Sequence, residues 1–204
     1  MATRAIVFDI GGVLEITPDT GMTEKWEARL ALNAGELDER MCSVWNDGAL
    51  GRCSEEDVRR SLGEILGIDQ AQIDAFMNDL WEEYLGTLNV EMAAYFSSLR
   101  PRYQTAIISN SFVGARDREQ QRYHFDEMAD VIIYSHEVGI AKPERRIFEL
   151  ACERLGVQPV EMIFLDDAER NIVAARELGI HAILFRGTNQ AIADIQACLR
   201  AATS

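Results

Sequence analysis

The stretch "AIVFDIGGVLEI", residues 5–16, decides the reading of this chain. An apolar run from Ala5 to Phe8 ends at Asp9, and Gly11 and Gly12 follow almost at once. A short continuous apolar run suits a strand covered on both faces. Glycines just beyond a carboxylate suit a place where backbone must approach a ligand closely.

Four more runs have the same character: "TAIIS" (105–109), "VIIY" (131–134), "MIFL" (162–165) and "HAILF" (181–185). Helical segments separate the later ones. Residues 144–155 follow Pro143, carry Ile147, Phe148, Ala151 and Leu155 on one face, and stop at Gly156. Residues 168–178 place Ile172, Ala175 and Leu178 together and stop at Gly179. Strand alternating with helix predicts an α/β fold with a doubly wound parallel sheet.

Residues 17–87 read differently, because no strand pattern occurs in them. Ser54 and Asp57 have capping-box spacing ahead of Val58, Leu62, Ile65 and Leu66. Asp69 opens a helix striped by Ile73, Phe76, Met77, Leu80, Trp81, Tyr84 and Leu85. Glu24–Leu32 and Glu36–Trp45 are two further helix candidates. The expected organisation is a core domain of residues 1–16 and 88–204, with 17–87 inserted as a helical cap domain.

With 204 residues, 48% hydrophobic and 26% charged, the chain has the composition of a globular protein. Its 20 basic and 34 acidic residues give a net charge of −14. That charge opposes partnership with nucleic acid or an anionic membrane surface. No apolar run approaches the roughly 20 residues of a membrane span. "MATRAIVFD" enters the first strand without signal-peptide architecture, so a cytoplasmic location is expected. Cys42, Cys53, Cys152 and Cys198 are scattered and read as reduced thiols. His124, His136 and His181 lack spacing partners and read as structural.

Ligands of open parallel sheets bind outside the carboxyl ends of the strands. At those ends stand Asp9, then Ser109 and Asn110, then Lys142 within "SHEVGIAKPE", then Asp166 and Asp167. Three carboxylates, a hydroxyl and a lysine thus converge on one edge.

The ordered set "FDIGGVL", "IISN", "GIAKPE" and "FLDDAERNI" resembles the haloacid dehalogenase (HAD) superfamily over essentially the whole chain. The resemblance implies a Rossmannoid core with a helical C1 cap and Mg²⁺-dependent hydrolysis of a small phosphorylated metabolite, such as a sugar phosphate. It implies Asp9 as nucleophile and Lys142 as the screening cation. Asp9, the Gly11 carbonyl and the motif-four acids would hold the metal, with Asp167 ranked above Asp166. Ser109 and the Asn110 backbone would bind the phosphoryl group, and Gly11 and Gly12 would admit it. The charge arithmetic agrees: at an effective dielectric near 20, unit charges about 4 Å apart interact by roughly 4 kcal/mol. A carboxylate therefore attacks a phosphate only where cations compensate.

One departure stands out. The commonest phosphatase form of the first motif has an aspartate at position 11, serving as acid and base. "FDIGGVL" resembles instead a subset with Asp-x-Gly-[Asn/Gly]-Val, which includes bacterial α-D-glucose-1-phosphate phosphatases. Two other readings compete: a 2-haloacid dehalogenase, which also lacks the second acid, and a catalytically weak metabolite-binding module. The loop "WNDGALGRC" (45–53) is expected to face the site, with Trp45 and Arg52 as substrate-contacting candidates.

Overall fold

The computed structural model describes residues 2–201. Its main sheet has five parallel strands: β1 (Ala5–Phe8), β4 (Gln104–Ser109), β5 (Val131–Tyr134), β6 (Met162–Asp166) and β7 (His181–Leu184). Their spatial order is β5-β4-β1-β6-β7. β1 is central, with Phe8 level with Ile107 on one side and Leu165 on the other. All five runs picked out in the sequence are strands.

Alternation along β1 explains why both faces are apolar. Ile6 and Phe8 point to one layer, where Met92 and Phe96 of α5 (Val90–Ser98) and Ile195 of α11 (Thr188–Ala201) pack. Ala5 and Val7 point to the other, against Ile147 and Phe148 of α9 (Arg145–Leu155) and Ile172 of α10 (Glu169–Glu177). The chain is therefore doubly wound, as the strand–helix alternation predicts. Three further α-helices belong to this part: α6 (Ala115–Tyr123) and the four-residue α7 (Phe125–Met128) and α8 (Ser135–Val138).

Four helices follow the first strand: α1 (Met22–Leu30), α2 (Glu36–Ala49), α3 (Glu55–Leu66) and α4 (Gln70–Leu85). They enclose a separate core around Trp26, Leu37, Met41, Leu62 and Phe76. Ser54 and Asp69 each form a capping box, with Asp57 and Gln72 respectively, which fixes where α3 and α4 begin. Two details differ from the sequence reading. Thr87, expected outside any strand, belongs to β3 (Thr87–Leu88), which pairs antiparallel with β2 (Glu15–Ile16). These two-residue strands are too short to leave a periodic signal. α2 also runs past Trp45 to Ala49, and the bare Cα of Gly48 lets the Phe112 ring lie against the helix; a Cβ there would sit 2.2 Å from that ring.

Candidate active site

The parallel strands bring Asp9, Ser109, Asp166 and Asp167 to one edge of the sheet, as their register requires. Asp9, Ser109 and Asp166 are buried, whereas Asp167 is exposed. Ligand oxygens of Asp9, Asp166 and Asp167 lie within 4.8 Å of one another. Three hard carboxylate donors at that spacing form a donor set suited to Mg²⁺.

Lys142 closes this group from the loop before α9. Its Nζ is 2.7 Å from Asp9 Oδ1 and 2.7 Å from Asp166 Oδ2, and the residue is only 3% exposed. The backbone of Lys142 is held on both sides by one side chain. Its N–H donates to Asn110 Oδ1 at 2.7 Å, while Asn110 Nδ2 donates to its carbonyl at 2.8 Å. Asn110 thus fixes where the lysine leaves the chain, a role for its side chain that the sequence reading did not foresee.

The two motif-four acids have different surroundings. Asp166 Oδ1 accepts from Ala168 N–H at 2.8 Å and from Asn171 Nδ2 at 3.0 Å; Oδ2 accepts from Lys142 and from the same amide. Asn171, one turn into α10, therefore orients Asp166. Asp167 lies over Gly12, where a Cβ would stand 2.1 Å from Oδ2, and its own backbone N–H helps to lower its carboxyl. With φ at +73°, Gly12 also has the backbone conformation that glycine adopts most easily. Gly11 is different: a Cβ there would meet nothing within 4 Å.

Burial dominates the acid strengths. It pushes the Asp9 carboxyl up to about 7, with Lys142 opposing and Asp166 adding to the rise. Asp167 is also raised, by partial desolvation first and by Asp166 second. Asp9 Oδ1 accepts from Ile10 N–H at 2.8 Å as well as from Lys142 at 2.7 Å.

A cavity of about 530 Å³ runs from Gly11, Ser109 and Asn110 toward α1, α2 and α4. Trp45 lines it and stacks on Phe76, ring centroids 6.2 Å apart. Arg52, of the same 45–53 loop, is not among the described lining residues. Gly51 lets that segment close onto the His136 carbonyl, where a Cβ would stand 1.7 Å from the oxygen. Arg52 is left exposed, 3.8 Å from Asp47. His136 is hydrogen-bonded to Ser111 Oγ at 2.6 Å and does not line the cavity.

Two cavity residues escaped the sequence reading. Glu15 is 1% exposed and Glu119 is 0% exposed, yet both line the cavity. Each has one carboxylate oxygen, Oε1, without a hydrogen-bond partner. Tyr134 donates to the other oxygen of Glu119. A lone acid inside the apolar "GGVLEI" was the available signal for Glu15. Glu119 lies in "ARDREQQRY", where nothing in the pattern separates it from surface charge.

The haloacid dehalogenase-like hydrolase family model matches residues 3–179. Among curated proteins, acyl-CoA dehydrogenase family member 10 of Mus musculus is 29% identical over 96% of the chain, and bifunctional epoxide hydrolase 2 of Sus scrofa is 30% identical over 96%. The chain spans only 19% and 39% of those two proteins. D-ribitol-5-phosphate phosphatase of Bacteroides thetaiotaomicron is 24% identical, covering 86% of this chain and 88% of its own length. Among solved structures, a predicted HAD-like hydrolase from Porphyromonas gingivalis superposes with a TM-score of 0.77 at 26% identity, covering 97% and 98% of the two chains. A HAD family enzyme from B. thetaiotaomicron, solved with magnesium and inorganic phosphate, gives 0.76 at 23%, covering 90% and 94%. The L-2-haloacid dehalogenase of Xanthobacter autotrophicus gives 0.61 at 21%, covering 94% and 81%. No helix among the described residues is long and apolar enough to cross a membrane. The family match spans the strand ends that carry Asp9, Ser109, Lys142 and Asp166, and the chain belongs to the haloacid dehalogenase-like hydrolases.

Proposed function

We propose that the chain is a Mg²⁺-dependent phosphatase that hydrolyses a small phosphorylated metabolite through an aspartyl-phosphate on Asp9. The observation that carries this reading is Lys142 Nζ at 2.7 Å from both Asp9 and Asp166, with Asp167 completing a three-carboxylate group beside it. The phosphatase among the relatives and the structural neighbour holding magnesium and phosphate support it.

Asp9, Asp167, Asp166 and the Gly11 carbonyl would hold the metal. Asp167 is favoured over Asp166 as a direct ligand, because four contacts already occupy the oxygens of Asp166. Bound Mg²⁺ would supply Lewis-acid polarisation of the phosphoryl oxygens and two positive charges. Lys142 favours the ionised form of Asp9 against the effect of burial and fixes its orientation. Asp9 Oδ2 attacks phosphorus, and the bond from phosphorus to the ester oxygen breaks. Ser109 Oγ and the Asn110 backbone N–H are the donors for a nonbridging oxygen. Water then attacks phosphorus, releasing inorganic phosphate and restoring the Asp9 carboxylate. With no acid at position 11, the departing oxygen must leave as an anion or be protonated by solvent.

The dehalogenase alternative rests on the 0.61 superposition. It needs a place for a 2-haloacid carboxylate, and none of the described cavity-lining residues is Lys, Arg or His. An assay with p-nitrophenyl phosphate, with and without Mg²⁺, tests the proposal. Hydrolysis that EDTA abolishes is expected; halide release from 2-haloacids without phosphate release would overturn it.

A further inference from the structure

The cavity between the sheet edge and the helices of residues 22–85 has an unusual charge inventory. Five carboxylates line it, those of Glu15, Asp19, Asp38, Glu83 and Glu119, and none of its described lining residues is Lys, Arg or His. Some of these acids are partly engaged: Glu83 accepts from Thr20 N–H at 3.0 Å, and Asp19 from Gly21 N–H at 2.9 Å. Glu15 and Glu119 differ in kind. They are almost wholly buried, and Oε1 of each has no partner at hydrogen-bond geometry, although the Tyr84 hydroxyl beside Glu119 helps to lower its carboxyl. A buried polar oxygen without a partner is costly, and native proteins rarely keep one without a use.

Two arginines act on these acids from outside the cavity lining. Arg122 faces Glu15 but donates to the Gly86 carbonyl at 3.2 Å and stacks over Tyr123. Arg116 lies in the field of Glu119 but is paired with Glu137 and stacked on Tyr134. Asp9 and the two glutamates add negative charge to one another. The remaining wall is aromatic, from Trp45, Phe76 and Tyr84. Ring faces attract cations.

We infer that the non-phosphate end of the substrate carries an ammonium group, received by Glu15 and Glu119 beside the rings of Trp45, Phe76 and Tyr84. This inference rests on the phosphatase reading and names its substrate class. A primary ammonium brings three N–H donors and a positive charge, the partner that buried carboxylate oxygens without a donor accept best. A neutral hydroxyl could donate to one of them but would bring no charge to favour their ionised forms. Burial pushes Glu119 up to about 7 and Glu15 up to about 9, so both resist ionisation in the cavity alone. An arriving cation supplies the counter-charge that each requires.

Three aryl phosphates with closely matched leaving oxygens test this: 4-(2-aminoethyl)phenyl, 4-propylphenyl and 4-(2-carboxyethyl)phenyl phosphate. The expected kcat/KM order is ammonium, then neutral, then carboxylate, with the first step at least about tenfold. In Glu119→Gln the ammonium and neutral esters should converge to within about threefold. A neutral ester hydrolysed as well as the ammonium ester by wild type would overturn the inference and leave the phosphatase reading intact. Failure to hydrolyse any of the three would overturn that reading instead. Calorimetry needs no turnover: tyramine should bind more tightly than 4-propylphenol, and the reverse order would overturn the cation subsite whatever the esters do.

Discussion

The Lys142 ammonium stands 2.7 Å from Asp9 Oδ1, and both side chains are almost closed to solvent. The same nitrogen reaches Asp166 at equal distance, so one cation separates two buried carboxylates. Removing it leaves Asp9 and Asp166 facing each other without compensation. Lys142→Met should lower single-turnover hydrolysis by at least about 10²-fold, as loss of one preorganised electrostatic group does. It should also reduce stability by about 3–5 kcal/mol, the usual result of breaking a buried ion pair. Lys142→Arg should restore little, because a planar fork cannot sit as a point charge between two acids. Rapid-quench kinetics and denaturant titration measure both effects.

Gly12 and Gly11 are adjacent in sequence and opposite in tolerance. A Cβ at Gly12 would collide with Asp167 Oδ2 at 2.1 Å, in a backbone conformation that side chains rarely adopt. Gly12→Ala should displace the Asp167 carboxylate and raise the Mg²⁺ concentration needed for half-maximal activity. A magnesium titration of the variant, beside one of Asp167→Asn, is the check. Matching shifts in the two curves are expected.

Gly11 has open space where its side chain would be. Its substitution therefore addresses chemistry rather than packing. Without an acid there, aspartyl-phosphate formation should slow steeply as the leaving group becomes more basic. Gly11→Asp should flatten that dependence and raise rates for alkyl esters by up to about 10²-fold, the lower end of general-acid effects. Single-turnover rates across a series of esters give the slope. A flat wild-type slope would mean that another donor protonates the departing oxygen.

Glu119 should make the metal-free protein less stable as pH rises. Its carboxyl is raised from 4.5 to about 7, chiefly by burial, so the folded state holds a proton that the unfolded state has released. Between those values the native form binds more protons, and unfolding free energy falls with pH, by on the order of 1 kcal/mol per unit. Below 4.5 the penalty is absent, and above about 7 it is fully present. Glu15, raised to about 9, extends the decline further. Thermal unfolding of wild type and Glu119→Gln from pH 5 to 8 should show the variant's Tm falling less steeply.

The strand ends were legible because buried parallel strands are apolar throughout and stop at their first polar residue. Phe8–Asp9, Ile108–Ser109 and Leu165–Asp166 announce the sheet edge and its chemistry together. The capping boxes at Ser54 and Asp69 fixed α3 and α4 for the same local reason. What was missed depends on contacts distant in sequence. Asn110 holds Lys142 across 32 residues. Gly48, in the part of α2 beyond Trp45, makes room for Phe112 64 residues on. Glu119 is buried on a helix whose composition is polar throughout, and only the neighbouring Tyr134 and the cavity distinguish it from surface charge. Arg52 shows the converse, a cation that looked well placed in the sequence and lies outside the cavity lining.

The most direct test of the central claim is chemical trapping at Asp9. Wild-type protein quenched within a single turnover of p-nitrophenyl phosphate and reduced with borohydride should carry homoserine at position 9, the reduction product of an aspartyl-phosphate. Asp9→Asn should show neither the product nor turnover, since an amide is a far weaker nucleophile toward phosphorus. Unmodified Asp9 during active turnover, together with wild-type rates in Asp9→Asn free of deamidation, would contradict the account.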